Sequence, residues 1–190
     1  MPTVLLSQIR DGEDMEPYSR ILTDNGLEVL VNDDFLFGRG RTSDDHVIET
    51  LHGVSAIIAG GTQFNSKVLA SLPELRVIAR AGVGFDRIDI NAASENGVVI
   101  TITPKANYEA VAEHAFTLIL AMAKTLFSGD KIMRNGGWPS LPSTPLRGST
   151  LGIIGLGRIG KALATRAIAL NMRILANEKF PDEVFVKDNN

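Results

Sequence analysis

The sequence predicts an α/β protein built from parallel sheets, arranged as two successive αβ series. Through the first hundred residues, short apolar runs alternate with helix-like segments, as in parallel strands covered on both faces. A break follows at Pro104 and Asn107, and a second series begins with STLGIIG at residues 149–155. We therefore expect two domains, residues 1–102 and 103–190, of which the second is incomplete.

The first series predicts five strands and four helices. The strands are expected at residues 3–7, 27–31, 55–60, 76–80 and 98–102, and the helices at residues 15–25, 43–52, 65–72 and 90–96. Ser43 is the expected N-cap of the second helix, because a serine oxygen accepts a hydrogen bond from a free N–H of the first turn. Gly26 and Gly53 are the expected stops of the first two helices.

After the break, a long helix is expected over residues 107–127. Asn107 is its candidate N-cap, and Glu109 places negative charge in its first turn, where the helix dipole favours it. The helix is apolar around most of its circumference over residues 115–123, which predicts burial on several sides. Glycines and prolines predict a loop over residues 129–145, and a strand at 150–154, a helix at 158–170 and a strand at 173–176 follow it.

Composition and charge narrow the range of partners. The net charge of −3 gives no electrostatic reason to expect nucleic acid or an anionic membrane as partner. There is no cysteine, which excludes disulfides and thiolate metal sites, and this is compatible with the cytoplasmic location that we expect. No signal peptide is evident, and the longest apolar run, residues 115–123, is too short to span a bilayer, which takes about 20 residues.

A glycine motif of the form GxGxxG opens the second series. Gly155, Gly157 and Gly160 follow an apolar strand and precede an amphipathic helix, and Glu178 ends the next strand. In this pattern the first glycine makes a tight turn, the second lets the backbone approach a pyrophosphate, and the third lets helix and strand pack closely. The alternative is a glycine turn that only joins strand to helix.

The same motif predicts which dinucleotide is bound. The N-terminus of the following helix offers free N–H groups and the positive end of a dipole to the phosphates. Glu178 can accept hydrogen bonds from ribose hydroxyls, and its charge would repel a 2′-phosphate, which favours NAD over NADP. Lys179 beside it tempers that preference without reversing it.

Three segments together resemble one known family, the D-isomer-specific 2-hydroxyacid dehydrogenases, and within it the phosphoglycerate dehydrogenase-like members. The segments are ARAGVGFDRIDINAASENGVVITITPKANYEAVAEHAFTLILAMAK at 79–124, GGW at 136–138 and TLGIIGLGRIG at 150–160. The similarity runs from about residue 60 to residue 180, and the N-terminal pattern fits less specifically.

The resemblance implies a flavodoxin-like substrate domain over residues 1–102, followed by a Rossmann NAD-binding domain from residue 103, with a cleft between them. It implies hydride exchange between nicotinamide and a D-2-hydroxy or 2-keto acid. It also implies a homodimer that associates through the helix at 107–127 and the loop near Trp138.

Residue by residue, the resemblance assigns the backbone at Arg158 and Ile159 to the pyrophosphate. It assigns the backbone N–H groups of the turn at Gly82, Val83 and Gly84 to the substrate carboxylate, and it places Val83 near the nicotinamide as well. A turn in which glycines expose amides suits an anion. The alternative is a plain strand-to-helix turn.

Other candidate residues have two interpretations each. Arg80 supplies charge near a carboxylate or phosphate, or it is a surface arginine at a strand end. Asn107 is a helix cap or a substrate ligand, with the cap favoured. His114 is expected to be a satisfied core residue rather than a catalyst. His46 and His52 lie on a surface helix without metal-ligand spacing, so no metal is expected.

Catalytic residues are not identified in this sequence. The family's arginine, glutamate and histidine come after the segment that resembles residues 150–180, and no set here matches them. We therefore expect this chain alone to be inactive, with exposed apolar surface and free sheet edges around residues 150 and 173. The alternative function is a non-catalytic NAD(H)-binding or regulatory module.

Overall fold

A computed structural model of the chain describes residues 1–7, 12 and 14–189. The chain divides into two compact units, Met1–Ala106 and Asn107–Asn190. The first unit therefore extends a few residues beyond the expected end at Ile102.

The first unit contains a five-stranded sheet of order β2-β1-β3-β4-β5, and all of its strand pairs are parallel. The strands are β1 Thr3–Ser7, β2 Glu28–Asn32, β3 Ala56–Ala59, β4 Val77–Arg80 and β5 Val99–Ile102. The predicted α/β class with a parallel sheet is confirmed, and the order is the flavodoxin-like one. Its loops at the carboxyl ends of the strands are where such sheets bind ligands.

In the described part of the first unit, five helices cover this sheet, and most of them begin at a side-chain cap. They are α1 Glu16–Asp24, α2 Phe35–Gly38, α3 Asp44–Thr50, α4 Ser66–Ala70 and α5 Ile90–Glu95. Ser43 caps α3 as predicted, and Asn65 and Asp89 cap the next two helices in the same way. Helix α2 was not predicted, because four residues are too few to show a helical period, although Asp34 accepts the N–H groups of its first turn.

The core of the first unit lies between the sheet and helices α2 to α5. Phe37, Ile57, Phe64 and Ile78 are all fully buried there. Burying side chains of this size is the main favourable contribution to folding. This core fixes the strand ends from which the loops of the candidate site emerge.

The second unit combines four helices with a two-stranded parallel sheet. Its elements are α6 Tyr108–Ala123, α7 Leu126–Arg134, β6 Thr150–Ile154, α8 Arg158–Ala169, β7 Arg173–Asn177 and α9 Glu183–Asp188. The strands and α8 match the predicted positions closely, whereas α7 and α9 were not predicted.

The prediction of one helix over 107–127 is wrong. Helix α6 ends at Ala123, and Thr125 has a left-handed backbone with φ of 50°. Helix α7 then starts at a bend of 63° and includes Gly129, which was expected in a loop. The reason is local: a β-branched residue rarely adopts positive φ, so the sequence carries no signal for a break at this position.

The expected burial of this helix on several sides is also wrong. Within the described residues only Ala112 and Ala121 of α6 are buried, whereas Leu118 is 44% and Met122 is 76% exposed. One side of α6 packs on a small cluster around Leu146. Val111, Leu118 and Met122 of α6 face solvent in the single chain.

The sheet of the second unit is covered on one face only. Leu151, Ile153 and Ile174 pack toward α8, while Ile154 is 94% and Leu175 is 69% exposed on the other face. This agrees with the exposed apolar surface expected around residues 150 and 173.

No single helix among the described residues is long and apolar enough to cross a membrane. Helices α6 and α7 meet such a test only when taken together across their 63° bend.

Candidate functional site

The glycine loop of the second unit begins with a backbone turn that favours glycine. Strand β6 ends at Ile154, and Gly155 has φ of 93°. Residues with a Cβ rarely adopt this region, so glycine makes the turn without strain.

The two other glycines of the motif differ in their surroundings. A Cβ at Gly160 would collide with the carbonyl oxygen of Gly155 and lie 3.4 Å from Cγ2 of Ile153. A Cβ at Gly157 would meet no heavy atom within 4 Å, and the residue is exposed. Gly160 is therefore required by packing, while Gly157 leaves open space beside the backbone.

Helix α8 begins directly after this space. Gly157 is its N-cap in an extended conformation, and Arg158 and Ile159 form the exposed start of the helix. The N–H groups of a first helical turn have no intrahelical acceptor, and the dipole places partial positive charge beside them. This end of α8 can therefore bind an anion such as a phosphate.

Glu178 follows β7 and is bonded to the glycine loop. Its Oε2 accepts the Leu156 N–H at 2.8 Å, and its Oε1 accepts the Phe180 N–H at 3.1 Å. The hydrogen bond from the Phe180 N–H has the largest effect on the carboxyl and that from the Leu156 N–H the next largest. Together they hold the pKa of Glu178 below its ordinary value. The ionised carboxylate thus fixes the loop in addition to offering acceptor capacity, a role that sequence reasoning missed.

An ion pair connects two elements in the same region. Lys161 in the first turn of α8 contacts Asp182 at 2.5 Å, and Asp182 also caps α9 by accepting the Phe185 N–H. Beside these groups lies a cavity of about 950 Å³, lined by Leu156, Ile168, Ile174, Glu178, Phe185 and Val186 among others. Asp182 at a cap position is the sequence signal for this ion pair, and the pair was not predicted.

These residues suit a dinucleotide. The motif has its tight turn at Gly155, open space at Gly157 and close packing at Gly160, and free first-turn amides stand next to that space. The carboxylate of Glu178 stands at the end of the next strand.

In the first unit the candidate site is the turn after β4. The Gly82 N–H donates to the Arg80 carbonyl at 2.9 Å, and the Gly82 carbonyl accepts the Thr103 N–H at 2.9 Å. The N–H groups of Val83 and Gly84 donate to no other described residue. The turn is therefore fixed while two of its amides remain available to an anion.

Arg80 lies directly against this turn. Its Nη1 donates to the Ala81 carbonyl at 2.6 Å, and a Cβ at Gly82 would lie 2.6 Å from the same nitrogen. Burial lowers the pKa of the guanidinium from its ordinary value, Asp86 opposes this shift, and Arg87 reinforces it. The group remains a cation near neutral pH, because arginine does not lose its proton in proteins.

Asn107 and the histidines lie elsewhere. Asn107 occupies the N-cap position of α6, as expected, but its side chain makes no capping hydrogen bond. His114 is exposed on α6, which contradicts the expected core position. His46 contacts Asp34 at 3.4 Å, and His52 is exposed. In the part of the chain that the structure describes, no three metal-ligating side chains cluster.

A family model matches most of the chain. It is described as D-isomer specific 2-hydroxyacid dehydrogenase, catalytic domain, and it covers residues 4–182.

Two relatives illustrate the sequence similarity. The chain is 37% identical over 158 residues to a D-3-phosphoglycerate dehydrogenase of Archaeoglobus fulgidus, covering 82% of this chain and 29% of that protein. It is 33% identical over 170 residues to a glyoxylate reductase of Pyrococcus furiosus, covering 83% and 51%. The chain therefore spans about half the length of these relatives or less.

Solved structures show the same similarity. The TT0316 protein of Thermus thermophilus matches with a TM-score of 0.81 and 30% identity, covering 95% of this chain and 57% of that one. A D-lactate dehydrogenase of Aquifex aeolicus, complexed with NAD and lactic acid, matches with a TM-score of 0.80 and 26% identity, covering 98% and 54%.

Proposed function

Because the chain belongs to the D-isomer specific 2-hydroxyacid dehydrogenase family, we propose that it carries the ligand-binding units of an enzyme lineage that transfers hydride between NAD and a small D-2-hydroxy or 2-keto acid. The observation that carries this proposal is the glycine loop of the second unit, with Glu178 bonded to it. In this proposal, the first unit binds the acid and the second unit binds the nucleotide.

The proposed cofactor site uses residues of the loop and of the strand end. Gly155, Gly157, Arg158, Ile159 and Gly160 surround the pyrophosphate position, and Glu178 accepts from the ribose hydroxyls. Bound NAD supplies a nicotinamide that accepts or returns a hydride. The charge of Glu178 disfavours a 2′-phosphate, so NAD is proposed rather than NADP. The Aquifex aeolicus structure with NAD supports the choice of cofactor.

The proposed substrate site is the turn after β4. The free amides of Val83 and Gly84 bind the carboxylate, Gly82 shapes the turn that presents them, and Arg80 adds positive charge beside them. We assign Val83 to the nicotinamide as well, and Asn107 to the substrate, on the family resemblance alone.

We propose that the 190-residue chain binds these ligands without turning them over. Moving the hydroxyl proton requires a general base within hydrogen-bond reach of it. His46 pairs with Asp34, whereas His52 and His114 are exposed on other elements, and none joins an arginine and a glutamate in a set. The same observation favours a second candidate function, a non-catalytic NAD(H)-binding or regulatory module.

A titration of NADH by fluorescence, together with NADH formation from a panel of D-2-hydroxy acids, tests both candidates. Binding without turnover fits the module, and turnover equal to that of full-length relatives contradicts the proposed inactivity. Gly157→Val should abolish NADH binding by filling the open space, whereas Gly152→Val is the matched control, since a Cβ at Gly152 also meets nothing within 4 Å.

Association and location belong to the same proposal. We propose a homodimer that forms through α6 and the loop near Trp138, because the apolar side chains of α6 and Trp138, which is 87% exposed, lack cover in the single chain. We propose a cytoplasmic location, with which the absence of cysteine is compatible.

A further inference from the structure

Arg87 is an exposed arginine that the loops of the first unit hold in place. Its Nη1 lies 3.2 Å from the carbonyl of Gly61, 3.3 Å from that of Gly40 and 3.4 Å from that of Arg39. The backbone of Arg87 is fixed as well, because its carbonyl accepts the Phe64 N–H at 2.8 Å. The side chain thus joins the loops that follow α2 and β3 to the turn that follows β4.

This arrangement leaves most of the guanidinium free. The three carbonyls occupy only Nη1, so Nη2 and Nε make no hydrogen bond to the described part of the chain. A guanidinium presents five donors in a planar fork that matches carboxylate and phosphate oxygens. Arg87 therefore has donors available on its outer edge.

The neighbourhood carries excess positive charge. Neither Arg80 nor Arg87 forms a salt bridge within residues 1–7, 12 and 14–189. The two arginines are close enough for Arg87 to lower the pKa of Arg80, and Asp86, whose effect is the larger, opposes it. Asp86 offsets one of the two positive charges, so the feature that suits a second anionic group is the fixed side chain of Arg87 with its free outer donors.

We propose that Arg87 determines substrate specificity by binding a second anionic group, either a phosphate or a second carboxylate, on the 2-hydroxy acid. This inference rests on the proposed function, since it requires the first carboxylate to bind at the turn of Gly82, Val83 and Gly84. The guanidinium of Arg87 is already fixed and loses little freedom on binding, so an acid with a second anionic group should bind more tightly than the matching acid without it.

Matched pairs of acids test this proposal on the full 190-residue chain. The probes are D-glycerate against 3-phospho-D-glycerate, and D-2-hydroxybutanoate against D-malate, followed by the amide chemical shifts of Val83 and Gly84. Arg87→Gln removes the charge, and Arg87→Lys keeps it. Arg76→Gln is the matched control, because Arg76 is another exposed arginine whose Nη1 donates to backbone carbonyls. Arg76 directly precedes the first residue of β4, at the end of the strand away from the candidate site.

We expect wild-type protein to bind the acid that carries a second anionic group more tightly than its partner in each pair. Arg87→Gln should weaken the binding of that acid about tenfold and the binding of its singly charged partner less than about twofold. Arg87→Lys should retain part of the preference, and Arg76→Gln all of it. Raising the salt concentration from about 50 to about 500 mM should reduce the ratio of the affinities for the two acids of a pair. This measurement uses wild-type protein alone.

Other outcomes separate this inference from the proposed function. The role of Arg87 is overturned if Arg87→Gln weakens the binding of both acids of a pair equally, or if wild-type protein binds both acids of a pair equally well. In either case, chemical-shift changes at Val83 and Gly84 would still support the carboxylate site. If no acid shifts those amides, the carboxylate site and the inference both fail.

Discussion

At the scale of single residues, each glycine of the nucleotide loop has a different physical role. Gly155 is needed for its positive φ and Gly160 for its contact with the Gly155 carbonyl, while Gly157 leaves open space. Substitutions at these glycines should therefore have different effects. A packing defect at Gly160 lowers the free energy of unfolding, whereas a side chain that fills the space at Gly157 weakens only ligand binding.

Gly160→Ala should destabilise the second unit by about 1–3 kcal/mol, because its Cβ would meet backbone that cannot move aside easily. Gly157→Ala should change stability by less than about 0.5 kcal/mol and weaken NADH binding instead. Hydrogen exchange of the α8 amides measures the first effect, and fluorescence titration the second. Equal loss of α8 protection in both variants would contradict this division.

Glu178 is predicted to couple pH to the glycine loop. Its folded-state pKa lies below the ordinary value, so the stabilisation that it provides is present above the unfolded-state pKa and is lost as pH falls through the folded-state pKa. The amide shift of Leu156 should therefore titrate with a midpoint below the ordinary glutamate value. In Glu178→Gln that titration should vanish, and its persistence would assign it to another group.

At the scale of elements, the sequence predicted best where a local signal existed. Apolar runs located all seven strands of the described chain to within two residues at each end, and caps such as Ser43 located helix starts. The break at Thr125 has no such signal, because threonine is an unusual residue for positive φ. Burial of α6 was overestimated because an apolar pattern shows that a face can be covered, not what covers it.

Thr125→Gly tests the break directly. At a left-handed position glycine removes strain, so we expect unchanged or higher stability, by up to about 1 kcal/mol. In an uninterrupted helix the same change would cost about 1 kcal/mol. Thr125→Ala is the companion variant: it should not stabilise the protein here, although it would stabilise a continuous helix. Chemical denaturation gives the free energy of unfolding of each.

At the scale of the whole molecule, each unit places its candidate site at the carboxyl ends of parallel strands. The glycine motif was predicted from the sequence, because Gly155 and Gly160 occupy positions that demand glycine, whereas the site at the turn after β4 stays a prediction from the family resemblance. The bond of Glu178 to Leu156 and the contacts of Arg87 were not predicted, because they join residues that are distant along the chain. Spacing alone does not reveal such contacts.

The proposed homodimer gives a prediction at this scale. Met122 is 76% and Phe127 is 68% exposed, so Met122→Glu and Phe127→Glu should shift the mass measured by light scattering from two chains to one. Val99→Glu is the control, because Val99 is 58% exposed but lies in the first unit. A wild-type protein with the mass of one chain at micromolar concentration would contradict the proposal.

The parallel sheet of the first unit also constrains how the chain reaches its native state. Strand β1 is made first, yet Thr3 pairs with Glu28, and Val4 pairs with Ala56 much later in the chain. A ribosome adds about 5–20 residues per second, so seconds pass between the synthesis of β1 and that of β3, its second partner strand. With no hairpin in the sheet to nucleate folding, we expect slow acquisition of structure and a dependence on chaperones during synthesis.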